Sequence, residues 1–212
     1  MIVLQEKFTT IELRAEKEKK LPKIIIKDSF NFLAASLDKL VDNLKALGEK
    51  RYGCAGKAFP HLKSYFNERW RHIDKSKFNL LLRKGVFPYE WADNFEKFDE
   101  TNLPPQDAFY NKLREQRISD EDYLHAKNVW SSFQIENFGQ YQDLYLECDV
   151  LLLTDVMETF RKTTLIDFKL DPMNYATLPG LSWDAGLQYS KVELEIVKDY
   201  DMNLFIDRQV KK

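Results

Sequence analysis

Cysteine is scarce: Cys54 and Cys148 are the only two in 212 residues. Two thiols build neither a disulfide framework nor a self-contained zinc site, so the composition favours a reducing, intracellular setting over secretion. Glycine is also scarce, with 7 in the chain. Neither G-x-G-x-x-G nor a P-loop pattern occurs, which excludes nucleotide-binding folds built on those glycine-rich loops. Long apolar runs are lacking: Ile24 to Ile26 and Val150 to Leu153 fall far short of the roughly 20 residues that span a membrane. The opening MIVLQEKFTT holds no signal-type apolar core, so a soluble protein without membrane contact is expected. A surplus of one charge is missing too. Lys+Arg 32 against Asp+Glu 34 leaves a formal net charge of −2, so any nucleic-acid contact must be local.

What is present is enough for a core, with 44% hydrophobic and 14% aromatic residues, and global disorder is excluded. The charge run Glu16 to Lys20 reads as a solvated helix or frayed arm closing residues 1–20. Lys23 to Phe32 reads as a strand buried on at least one face, with Asp28 where it emerges. Ser36 is placed to N-cap a helix over Leu37 to Leu47 with an apolar stripe, and Gly48 reads as its stop. Glu49 to Pro60 is loop-like. From Phe59 to Phe98 aromatic residues recur with weak periodicity, predicting short helices and irregular turns packed by rings. Pro104-Pro105 predicts a helix from Gln106 to about Gln116, and Ser119 with Asp122 predicts a second, to about Phe133. The strongest helical pattern runs from Gly139 to about Phe168. Leu178-Pro179-Gly180 reads as a turn before a helix near Trp183 to Tyr189.

On the long helix, Tyr145, Asp149, Leu152, Val156 and Phe160 share one face, which sets a carboxylate inside an apolar and aromatic stripe. A carboxylate half-buried there needs a cation, a metal or several donors. The plainer alternative is an aspartate at the rim of the stripe, paired with a Lys or Arg. Lys84 reads equally as an ordinary surface lysine, and Phe30 as strand-core packing.

Taken in order, the runs DSFNFLAASLDKL (28–40), RKGVFPYEW (83–91), FEKFDETNLPP (95–105), ISDEDYLHAKNVW (118–130), YQDLYLECDVLLLTDV (141–156) and LDPMNYATLPGLSWDA (170–185) resemble the protein-primed, organellar, viral and transposon-type family B DNA polymerases. The resemblance extends from Leu21 to about Ile206 and lies in the number and order of the blocks. It implies the later part of a 3′→5′ proofreading exonuclease domain and the connection towards the polymerase palm. The family's third exonuclease motif, Tyr-x-x-x-Asp on a helix, is matched by Tyr145 and Asp149. That implies a divalent-metal ligand role for Asp149, with Mg2+ or Mn2+ in the complete enzyme, and orientation of the attacking water by Tyr145. A carboxylate cluster suits this reaction because two metals activate water and stabilise the leaving 3′ oxygen. Lys84-Gly-Val-Phe87 resembles a Lys-x-x-hydrophobic motif whose lysine assists near the phosphate. Ser29 and Phe30 fall where the family has Ser/Thr-Leu, a contact to the single-stranded primer end, with Phe30 replacing leucine; an aromatic ring can still stack on a base.

The resemblance has gaps. No Asp-x-Glu precedes Asp28, and the second motif, an Asn shortly before a Phe/Tyr-Asp pair, is not found within residues 1–27. Asn94 to Asp99 fits that pattern only by coincidence, because it follows Lys84. Nor does a Gly-Gly linker or a palm motif follow Ile206. The expectation is therefore a helix-dominated α/β chain with a partial ribonuclease-H-like exonuclease fold. It divides into an arm (1–20), a partial exonuclease domain (21–168) with a helical and aromatic insertion (59–135), and a connection (169–212). Such a piece of a DNA-directed DNA polymerase is expected to be inactive alone, with single-stranded DNA and missing polymerase segments as partners. The alternative is a non-catalytic remnant that binds single-stranded DNA or protein.

Overall fold

The computed structural model describes residues 10–13, 24–113, 115–194 and 198–210; the charge run 16–20 lies outside them. Among the described residues the fold is helix-dominated. It divides into two compact units, one of residues up to Phe32 together with those from Thr163, the other Leu33–Lys162.

In the second unit, Ser36 caps α1 (Leu37–Tyr52) by accepting from the Lys39 N–H at 3.4 Å. The helix passes through Gly48 and stops at Gly53, whose φ of +64° is the left-handed geometry glycine accepts without strain. Gly48, expected as the stop, is instead a contact point: a Cβ there would sit 2.7 Å from the Ala55 carbonyl oxygen. Helices α2 (Pro60–Arg69) and α3 (Lys75–Leu81) follow. The helix expected from Gln106 to Gln116 does not form. A single 3-10 turn (Gln106–Phe109) ends at Tyr110, and Asn111 and Gln116 then exchange two backbone hydrogen bonds across a tight loop. Glu115 in that loop has φ +52°, outside any right-handed helix. The segment lacks the apolar stripe that would have rewarded helical packing. Ser119 does cap α4 (Asp120–Ser132), accepting from the Asp122 N–H at 3.1 Å, and α5 (Phe138–Phe168) closes the order.

Phe59, Leu62, Phe66, Val41, Leu152 and Phe138 form the centre of one core. Phe138, fully buried, is its aromatic hub, with ring centroids of Trp91 at 5.0 Å, Phe87 at 5.4 Å and Phe98 at 6.0 Å. This matches the expectation of short helices and irregular turns packed by rings from Phe59 to Phe98. Aromatic pairs add about 0.5–1.5 kcal/mol each beyond burial.

The core also holds a charge. Asp155 on α5 is 1% exposed, and its two carboxylate oxygens accept the His61 and Leu62 N–H groups, each at 3.0 Å. Those donors are unpaired groups of the first turn of α2, where Pro60 and Phe59 supply no side-chain cap. Burial pushes the Asp155 carboxyl above its usual range, while the two donors pull it back.

The other unit contains the only sheet among the described residues, an antiparallel pair of β1 (Thr10–Leu13) and β2 (Ile24–Lys27) in the register Thr10 to Lys27. The strand expected over Lys23 to Phe32 is thus shorter, and Ile25 and Ile26 are exposed rather than core. It ends because the Asp28 carboxylate accepts from the Phe30 N–H at 2.9 Å and starts a 3-10 turn, Ser29–Asn31. Lys27 donates to the carbonyls of Met173 and Tyr175 at 2.5 and 2.7 Å. Helix α6 (Leu178–Ser190) begins five residues before the expected Trp183, because Pro179 sits in its first turn, where its missing N–H costs nothing. A further helix, α7 (Tyr200–Val210), went unpredicted.

Replacing Asp155 by Ala leaves two buried N–H groups without acceptors and should destabilise the protein by about 2–4 kcal/mol. Asp155→Asn, keeping one acceptor, should lose less. Urea denaturation of the three proteins checks the order.

Candidate functional site

Tyr145 and Asp149 are one turn apart on α5, about 40° around its axis. The segment after α3 meets them. Gly85 lies against the Tyr145 ring so closely that a Cβ would come within 2.9 Å of its Cδ2, which is the reason for glycine beside Lys84. The Tyr141 hydroxyl donates to the Val86 carbonyl at 2.7 Å, pinning the segment to α5. Phe87 stacks on Tyr145 at 5.1 Å, and Tyr89 meets it edge-on at 6.3 Å. The Tyr89 and Tyr145 hydroxyls share a hydrogen bond of 2.5 Å. Lys84 and Tyr145 thereby line one cavity of about 250 Å³.

Asp149 is half-buried, and its Oδ1 is buried without a hydrogen-bond partner. Burial pushes its carboxyl above the usual range, and the positive charge of Lys84 opposes the shift. The structure thus brings Lys84, Tyr145 and Asp149 together. Ser29 and Phe30 belong to the other unit. There Ser29 opens the 3-10 turn, and Phe30 is 55% exposed rather than packed in a strand core.

Tyr89, which holds the Tyr145 hydroxyl, went unassigned in the sequence. Its signal was faint: an aromatic two residues beyond Phe87 in a block read for its lysine. Arg83 pairs with Asp122, which also accepts the Ser119 hydroxyl at 2.8 Å. His125, one turn along α4, is pulled down to about 4 by burial and then by the Arg83 charge. It faces a second cavity of about 30 Å³ with Tyr141, Tyr145 and Cys148, room for about one water and no ligand.

An exonuclease metal centre needs several converging ligands. Asp149 offers one unpartnered oxygen, but no group of three His, Cys, Asp or Glu gathers among the described residues. These residues by themselves do not fit Mg2+ or Mn2+. No described helix is long and apolar enough to cross a membrane. No family model matches the chain, and neither a curated protein nor a solved structure matches it.

Two titrations are expected. The raised Asp149 carboxyl holds its proton more tightly folded than unfolded, so its contribution to stability falls as pH rises past the ordinary value of 3.8. Asp149→Asn should therefore melt higher than the parent at neutral pH, with the gap closing in acid; thermal melts across pH measure it. His125 has the opposite sign. Its depressed value means that the unfolded chain binds the proton first, so stability is lost as pH falls from 6.5 to about 4. Denaturation midpoints of His125→Gln across that window should show a flatter slope.

Proposed function

We propose that the chain supplies part of a 3′→5′ proofreading exonuclease of the family B DNA polymerase type, with a ribonuclease-H-like ancestry, and that Asp149, Tyr145 and Lys84 are its DNA-handling residues. One observation carries the reading: the lysine and tyrosine of two separate sequence blocks line the same cavity, one turn from a carboxylate whose inner oxygen has no partner. A half-buried carboxylate without a donor destabilises the fold, and such groups are retained where chemistry uses them. On this reading Lys84 meets a phosphate and Tyr145 orients a group beside it. In the other unit, the exposed Phe30 ring has a face free to stack on a base, with Ser29 beside it.

Asp149 would be one ligand of a carboxylate set whose other members are not among the described residues. Nucleotide release by this chain alone is therefore not expected. A second reading, a hold on single-stranded DNA without chemistry, is favoured by the same lack of a converging ligand group.

Anisotropy of a labelled oligothymidylate decides. The expected result is salt-sensitive binding, weakened about fivefold or more by Lys84→Ala, with linear strands competing better than circular ones. No binding at low salt, or binding indifferent to Lys84, would overturn both readings. Metal-dependent release of nucleotides, lost in Asp149→Ala, would overturn the second reading and the expected inactivity.

A further inference from the structure

The cavity beside Tyr145 has a second wall that the polymerase resemblance does not assign. Phe109, Tyr110, Asn111, Gln116, Arg117 and Ile118 complete its lining. This wall is built rather than loose. Gln106 donates to the Ile118 carbonyl at 3.4 Å and to Asp120 at 2.8 Å. The Phe109 ring meets Tyr123 edge-on at 5.8 Å, and the Tyr123 hydroxyl donates to the Pro104 carbonyl at 3.0 Å. The two backbone hydrogen bonds between Asn111 and Gln116 hold the base of the loop closed.

The lining chemistry selects a ligand class. Tyr89 and Tyr110 are 61% and 39% exposed, so each has ring surface left to stack on a planar group. Two cations line the cavity, Lys84 from one wall and Arg117 from the other. Among the described residues Arg117 pairs with Asp107 at 4.0 Å, and both side chains are so exposed that the pair adds almost nothing. Glu90, the acid of the lining, is offset by Lys112 at 3.6 Å. The carboxamide of Gln116 carries a donor and an acceptor of the kind that read base edges. A volume near 250 Å³ lies below the range for drug-sized ligands and suits one small planar anion.

We infer that residues 109–111 and 116–118 form a subsite for a single nucleotide unit, with Tyr110 stacking on the base and Arg117 meeting the phosphate. The inference rests on the single-strand reading for Lys84 and adds a wall to that site. It makes the insertion a binding element rather than a spacer.

The probe is deoxyadenosine monophosphate, titrated by NMR into the full chain and into Tyr110→Ala, Tyr110→Phe and Arg117→Ala. These substitutions are at exposed positions, and unchanged thermal melts would verify the folds. The expected result is binding weakened about fivefold or more by Tyr110→Ala and by Arg117→Ala, the latter with a reduced salt dependence, and retained in Tyr110→Phe. Phenyl phosphate, an anion with a ring but no base edges, should bind more weakly. No binding of the nucleotide, equal affinity in all four proteins, or preference for phenyl phosphate would overturn the subsite. Oligothymidylate binding that still depends on Lys84 would then leave the parent reading standing, whereas loss of both would remove it as well.

Discussion

A buried carboxylate at the start of a helix organises the larger unit. Asp155 joins residues 94 positions apart, and it does so with both oxygens, so the start of α2 is held in angle as well as position. The same contact sets the rotation of α5. At about 100° per residue, fixing Asp155 towards α2 turns Asp149 about 120° away, onto another face. Tyr65 and Arg69 on α2 reinforce that setting by binding Glu147. A hydrophobic side chain at 155 would fill space but leave two buried N–H groups unmet, and packing alone tolerates small rotations that directional bonds do not.

Around that clamp the aromatic residues do the rest. The chain between α3 and α4 is long and largely irregular, a form that is stable only when its apolar groups find partners. Phe138 supplies them, taking rings from Phe87, Trp91 and Phe98 onto the first turn of α5. The Arg83 to Trp91 segment is fixed by rings at one end and by the Tyr141 hydrogen bond at the other. Lys84 therefore has a defined address although it lies outside any helix.

Much of the helical framework was legible from the sequence because its signals are local. Ser36 and Ser119 cap as their spacing implied, and the length and periodicity of α5 left little choice of structure. Where the sequence misled, the residues just beyond the signal had decided the outcome. Gly48 looked like a stop but makes room for Ala55, and only Gly53 takes the left-handed turn. Pro104-Pro105 looked like a helix start, but the residues after it lack an apolar face and close a loop instead. The Tyr145 and Asp149 spacing was visible, as was the lysine block. Their meeting, the part taken by Tyr89 and the unpartnered Oδ1 were not, since each depends on how distant segments pack. The resemblance to polymerase exonucleases was carried by ordered blocks, and a two-stranded antiparallel sheet in a helix-dominated fold neither adds to it nor replaces it.

The loop at Asn111 is tied to the body by Gln106 and Tyr123, near its own position in the chain, whereas Asp155 reaches His61 across most of the unit. These two kinds of closure differ in folding time. Short loops close early at small entropic cost, while a contact across 94 residues waits until much of the chain has collapsed. The loop wall can thus take shape before α2 docks on α5, and the face that carries Asp149 acquires its final orientation among the last events. A growing or partly unfolded chain would accordingly present the cavity's outer wall without the acid beside it, so any chemistry that depends on Asp149 is withheld until the unit is complete.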